Sequence, residues 1–108
     1  MKLETIYRNT DYTTAPSDIK DILSEVSLFD FHRTRDGKRQ SFYFHFTYKN
    51  KRYIMNHSFI YEWKGVNNWF RFKGALFFKN PFNLKKSQLV ELSAQFMKSV
   101  NTWNQISN

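Results

Sequence analysis

Three histidines are the side chains of this sequence best suited to acid–base or metal chemistry, and their spacing argues against both roles. Strand alternation places His32 and His45 on one face of a predicted sheet, but the predicted register separates them by roughly 13 Å, too far for one metal ion. Asp30 shares that face at roughly 7 Å from His32, so a carboxylate–imidazole contact is in reach but not well placed. His57 falls on the apolar face and is predicted to pack there or at its edge.

Other catalytic signatures are missing from the sequence. The chain has no cysteine, which excludes a disulfide framework and a thiolate zinc site. It also has no Gly-rich phosphate loop, no HExxH helix and no nucleophile elbow. The sequence therefore predicts a protein that is not an enzyme, with no catalytic residues, no cofactor and no metal site.

The cations are the second group of residues with a chemical capacity, and they are unevenly distributed. The net charge is +8, from 17 Lys+Arg against 9 Asp+Glu. Residues 1–36 hold five of the cations and seven of the acids, for a net charge of −2, whereas residues 37–108 have a net charge of +10. Such asymmetry indicates an anionic partner for the second part, although a solvated basic face is the simpler alternative.

Length and hydropathy limit the architecture that must position these residues. A chain of 108 residues with 41% hydrophobic residues is one domain, 1–108, with enough apolar surface for a core. The longest apolar run, Ala75–Phe78, is far shorter than a membrane helix, and Met1–Thr5 lacks the apolar stretch of a signal peptide. We therefore expect a soluble, cytoplasmic protein that does not engage membranes.

Two helices are predicted from apolar spacing and start signals. The first covers about 16–26, because Pro16 and Asp18 suit a first turn and apolar residues follow with helical spacing. The second covers about 84–103 and starts after Asn83, a good N-cap residue. Residues 1–12 have mixed periodicity and are interpreted as irregular or as a short edge element.

Four antiparallel strands are predicted between the helices, over about 28–35, 39–49, 51–62 and 67–79. A two-residue loop at Asp36–Gly37 sets Phe31 opposite Phe42 and Phe29 opposite Phe44. The phenylalanine face needs a cover, and the helices offer the only other apolar surfaces. The prediction is an α+β fold with both helices on one face and the other face, the far face, uncovered.

The far face is predicted to be polar, aromatic and basic. Its polar and aromatic members are Asp30, His32, Ser41, Tyr43, His45, Thr47, Asn56, Ser58, Trp69, Arg71 and Lys73, and its apolar members are Leu28, Ile54 and Ile60. Tyr43, Trp69 or a histidine is suited to stack on a base, and Arg71 and Lys73 to contact phosphates. The alternatives are the ordinary solvated side of an antiparallel sheet and a homodimer surface.

Turns and one helix start carry further cations. Four surround the Asp36–Gly37 turn, and Lys85 and Lys86 oppose the dipole at the second helix start, which favours a contact with phosphate. Edge protection against aggregation is the alternative role for such cations. The predicted binding residues are Arg33, Arg35, Lys38, Arg39, Tyr43, Lys64, Trp69, Arg71, Lys73, Lys85 and Lys86.

The predicted order is a helix, an antiparallel sheet and a C-terminal helix that begins with Lys85 and Lys86. At the level of topology this order resembles a double-stranded-RNA-binding domain or its DNA-binding relatives. The predicted sheet has four strands instead of three, and no residue roles carry over. The Lys, Asn, Ile and Phe bias also resembles small proteins of phages and mobile elements. The first hypothesis is a non-catalytic binder of nucleic acid or nucleoprotein. The alternative is an inhibitor or adaptor, such as a phage counter-defence protein, that docks on an acidic protein surface.

Overall fold

The computed structural model describes residues 1–63 and 84–107. In these ranges the chain forms an α+β fold with one four-stranded antiparallel sheet in the order β1-β2-β3-β4, which confirms the predicted class. The elements are α1 (Leu3–Asn9), α2 (Ser17–Glu25), β1 (Ser27–Asp36), β2 (Arg39–Tyr48), β3 (Lys51–Asn56), β4 (Phe59–Trp63) and α3 (Lys86–Ser107). No helix of the described ranges has both the length and the hydropathy needed to cross a bilayer.

Both predicted helices are present, and a third precedes them. The second predicted helix, over about 84–103, is α3 and begins at Lys86, and its predicted N-cap, Asn83, lies outside the described residues. Pro16 is the N-cap of α2 and Asp18 lies in its first turn, as the start signals predicted. Residues 1–12, expected to be irregular or an edge element, instead contain α1, so that prediction was wrong. The helix buries Leu3, Ile6 and Tyr7, which have helical spacing. Seven residues show that spacing only once, which is too little for a pattern to reveal.

The segment predicted as one strand over 51–62 is two strands, β3 and β4. They are joined at His57 and Ser58, where the Ser58 N–H donates a 2.8 Å hydrogen bond to Asn56 Oδ1 and closes an Asx turn. The turn reverses the alternation of side chains beyond it. Ile60, expected on the far face, is therefore in the core at 2% exposure opposite Met55, and Phe59 faces the other way. The strand predicted over 67–79 lies outside the described residues.

The β1–β2 register differs from the prediction by two residues. Phe31 lies opposite Phe44 instead of Phe42, and the loop consists of Gly37 and Lys38 instead of Asp36 and Gly37. Gly37 has φ +59°, a left-handed conformation that favours glycine at the first loop position. Because a two-residue shift preserves the alternation, the phenylalanines still share one face.

The core lies between that phenylalanine face and the helices, as predicted. Phe96 of α3 is fully buried, and its ring centroid lies 5.0 Å from Phe29, 5.4 Å from Phe44 and 5.2 Å from Phe46. Tyr7 of α1 stacks on Phe29 at 4.6 Å, which brings the N-terminal helix into the same cluster. The sheet thus packs against α3 and α1 through the rings of its phenylalanine face.

Candidate functional site

The β1–β2 hairpin is longer than the rest of the sheet, and its outer part, residues 33–42, is here called the arm. β2 pairs with β3 only from Phe44 to Tyr48, whereas the pairing of β1 with β2 continues outward to Asp36 opposite Arg39. From Thr34 to the loop the arm extends about 10 Å, at about 3.4 Å per residue. In the described part of the chain, this outer segment is therefore a two-stranded ribbon.

The arm carries a concentrated positive charge. It contains four of the predicted binding residues, Arg33, Arg35, Lys38 and Arg39, and one acid, Asp36, for a net charge of +3. Arg33 and Lys38 are exposed, and the guanidinium carbon of Arg33 lies 5.4 Å from the centre of the Phe31 ring. The backbone register sets Arg35 opposite Gln40. The pairing of the strands places the backbones of these four residues beside one turn, and their role in binding stays a prediction.

The base of the arm is anchored to the body of the sheet. The Asn56 side chain donates a 3.3 Å hydrogen bond from Nδ2 to the Phe42 carbonyl, and the His57 ring lies 5.7 Å from the Phe42 ring. Phe31 packs on Phe42 from the neighbouring strand at 6.0 Å. The β3–β4 turn therefore contacts the arm at Phe42. Arg33 lies opposite Phe42, and Arg35, Lys38 and Arg39 lie farther out towards the loop.

The far face is less open than predicted. Ile54, expected to be uncovered there, is 1% exposed. Tyr43, one of the predicted stacking residues, is half-buried, and its ring lies 5.7 Å from Phe59. Phe59 in turn stacks on Tyr61 at 4.5 Å with a 14° interplanar angle. Tyr43, Phe59 and Tyr61 therefore form a row of ring contacts. The sequence prediction missed this row because it assigned Phe59 to the opposite face of the sheet.

Two histidines expected to be far apart are in contact. The rings of His32 and His45 lie 4.6 Å apart, and His32 Nε2 lies 3.0 Å from Asp30 Oδ2. The prediction of roughly 13 Å was wrong because the true register sets His32 opposite Tyr43, one diagonal step from His45. Placing Gly37 at the first loop position would have revealed this contact from the sequence.

The electrostatics of this cluster favour a neutral His45. Burial, together with the neighbouring His32, lowers the pKa of His45 to about 4, so its imidazole is uncharged at neutral pH. No group of three or more His, Cys, Asp or Glu side chains within residues 1–63 and 84–107 is arranged to hold a metal ion. The contact between the two rings is therefore made with a neutral imidazole at His45.

The remaining predicted residues are not brought to the arm by any described contact. Lys85 and Lys86 are exposed at the start of α3, where the Lys85 N–H donates a 2.7 Å hydrogen bond to Gln88 Oε1. Gln88 also donates to Asp18, which ties this helix start to α2. Four predicted residues lie outside the described ranges: Lys64, Trp69, Arg71 and Lys73.

A cleft of about 460 Å³ lies between α1 and α2, and the sequence did not predict it. Buried Tyr7 and Leu23 contribute to its lining, and the Tyr7 hydroxyl donates a 2.7 Å hydrogen bond to the Leu23 carbonyl. Burial raises the pKa of Tyr7, and hydrogen bonds from Thr13 lower the pKa of Asp11. Neither group is therefore suited to exchange protons near neutral pH.

Comparison of the chain with protein-family models, with curated proteins and with solved structures finds no match. The double-stranded-RNA-binding topology that the sequence resembles has three strands, whereas the described sheet has four. Function must therefore be inferred from the arm, the far face and the cleft themselves. Of the three, the arm combines charge, exposure and a defined shape.

Proposed function

We propose that this chain is a non-catalytic protein that binds nucleic acid, free or within a nucleoprotein, through the arm. The observation that carries the proposal is a ribbon with four cations and a single acid, anchored at Phe42 and extending past the helix-covered sheet. Like charges around one turn repel one another, so their concentration costs stability unless an anion neutralises them. A phosphate backbone is the polymer that supplies such charges at regular spacing.

Binding through these four cations has a defined salt dependence. Cations that neutralise phosphates release condensed counterions, so the logarithm of the binding constant falls linearly with the logarithm of the salt concentration. Four phosphate contacts give a slope of about −3.6 for the logarithm of the binding constant against the logarithm of the salt concentration. A fourfold rise in salt therefore weakens binding by roughly 10²-fold. Affinity that does not change between low and moderate salt would contradict the proposal.

A protein partner with an acidic surface is the competing proposal, as expected for an inhibitor or adaptor of a phage or mobile element. One form of this proposal, in which the partner adds a strand to the sheet beside β1, is disfavoured by the hydrogen bonds at Leu28 and Phe31. The Leu28 N–H donates to Glu4 Oε1 at 3.0 Å and the Phe31 N–H donates to Asp30 Oδ1 at 2.8 Å. A strand added at this edge would have to displace both carboxylates. The same two hydrogen bonds disfavour a homodimer that forms through the β1 edge. The cytoplasmic location expected from the sequence stays a prediction.

A charge-matched pair of variants tests the proposal. The arm variant carries Arg33→Gln, Arg35→Gln, Lys38→Gln and Arg39→Gln. The control variant removes the same charge from exposed positions elsewhere, with Lys2→Gln, Lys20→Gln, Lys49→Gln and Arg52→Gln. Binding to mixed-sequence fluorescent oligonucleotides is measured by anisotropy at two salt concentrations, after circular dichroism has verified that both variants fold.

The proposal expects the arm variant to lose at least about tenfold in affinity and most of the salt slope, and the control to lose a few-fold at most. Equal losses in the two variants would show that only net charge matters and would overturn it. Capture of an acidic protein that survives nuclease treatment, combined with no nucleic-acid binding by the wild type, would support the competing proposal.

A further inference from the structure

We infer that the ligand of the arm is duplex DNA and that the arm enters its major groove. This inference rests on the proposed function and adds the class of nucleic acid and the mode of contact. Its starting point is shape, because the described outer segment consists of two paired strands and no third strand.

The dimensions of the arm match one groove and not the others. Two strands lie about 4.8 Å apart, and with side chains such a ribbon fits a major groove of about 12 Å but not a minor groove of about 6 Å. The arm extends about 10 Å beyond its base, and the B-form major groove is about 8.5 Å deep. The deep and narrow major groove of an RNA duplex does not admit it.

The residue types of the arm are those that contact base edges in a duplex. Arginine pairs with guanine, glutamine with adenine, and serine with several bases. Gln40 and Ser41 are exposed, as is Arg33 at the base. The arm can therefore offer base contacts beside its phosphate contacts, although the phosphate contacts supply most of the affinity.

Single strands are disfavoured by the position of the aromatic residues. Proteins that bind unpaired bases stack them on aromatic rings, and residues 33–41 contain no aromatic residue. The nearest ones are used internally, since Phe42 packs under His57 and Tyr43 contacts Phe59. Ile54 lies on the same far face and is buried, so a base cannot stack on the sheet at that position.

The test compares three ligands of the same sequence and length, about two helical turns long. They are duplex DNA, duplex RNA and single-stranded DNA, each measured against the wild type, the arm variant and the control variant. The wild type should bind duplex DNA at least about tenfold more tightly than the other two ligands. The variant with Gln40→Ala and Ser41→Ala, which keeps all four cations, should lose affinity a few-fold for duplex DNA alone.

Protection from dimethyl sulfate identifies the groove, because the reagent methylates guanine N7 in the major groove and adenine N3 in the minor groove. Protection of guanine N7 that disappears in the arm variant supports the inference, and protection of adenine N3 alone overturns it. Arm-dependent binding that prefers duplex RNA or single strands overturns the inference and leaves the proposed function intact. No difference between the arm and control variants on any of the three ligands overturns the proposed function itself.

Discussion

The inner and outer halves of the β1–β2 hairpin have opposite properties although the same two strands form both. The inner half places Phe29, Phe44 and Phe46 in the core, where all three rings lie within 6 Å of Phe96. The outer half has no aromatic residue past Phe42 and carries four cations. The inner half therefore stabilises the fold and the outer half is available for an interaction, with Phe42 as the boundary.

The greatest loss of stability should come from removing the α3 ring against which the inner half packs. Phe96→Ala leaves a cavity among the rings of Tyr7, Phe29, Phe44 and Phe46, and we expect it to lower the free energy of unfolding by about 3–5 kcal/mol. Urea denaturation followed by circular dichroism measures this. Val90→Ala, at an exposed position of the same helix, is the control. A loss below about 1 kcal/mol would mean that this ring does not organise the core.

A smaller effect lies at the tip of the arm. Gly37 has φ +59° and open space around the position of a Cβ atom, so Gly37→Ala costs only the strain of a left-handed conformation, about 1–2 kcal/mol. Gly37→Asn should cost less, because asparagine tolerates this conformation better. Equal thermal stability of the two variants would argue that the loop does not hold Gly37 in this conformation.

The pH dependence of the free energy of unfolding tests the burial of His45, which lies on the far face inward of the boundary at Phe42. Unfolded His45 binds a proton near its ordinary pKa of 6.5, whereas the folded pKa is about 4, so stability is complete above pH 6.5 and falls as the pH drops towards 4. His45 is only half-buried, and solvent screening reduces the loss to about 1 kcal/mol between pH 7 and pH 5. Urea unfolding at the two pH values measures it. His45→Gln should abolish this part of the change, whereas exposed His57→Gln should preserve it.

The smallest effect on stability is expected from the arm variant described above, which should nevertheless have the largest effect on binding. Removing four like charges relieves repulsion and deletes no core contact, so its free energy of unfolding should stay within about 0.5 kcal/mol of wild type or rise slightly. Thermal melts at low salt measure this. A strongly destabilised arm variant would contradict the division of the hairpin into two halves.

The sequence predicted the parts of the fold that repeat a pattern many times. The phenylalanine face of the sheet and the long C-terminal helix each depend on a pattern that repeats several times, and both predictions were confirmed. Features that depend on one or two residues were missed, among them the single helical repeat of α1 and the Asx turn made by Asn56. Those are decided by local hydrogen bonds and tertiary packing, which periodicity does not record.

The candidate site divides in the same way. The cluster of arm cations followed from sequence proximity, since a short loop must bring residues 33–39 together. The contact of His32 with His45 depends on the register. Placing the loop one residue too early predicts a separation of roughly 13 Å, whereas the ring centroids lie 4.6 Å apart. Residues that meet across strands are thus predicted only as well as the turn between them.

The free end of the hairpin makes its length a variable independent of the core. Because β3 pairs with β2 only up to Phe44, adding one residue to each strand near the loop would extend the ribbon by about 3.4 Å without altering any pairing at Phe44 or inward of it. Adding a residue to one strand alone would reverse the alternation or create a bulge. The length of the hairpin can therefore change by whole residue pairs while the strand pairing and the core inward of Phe44 stay the same.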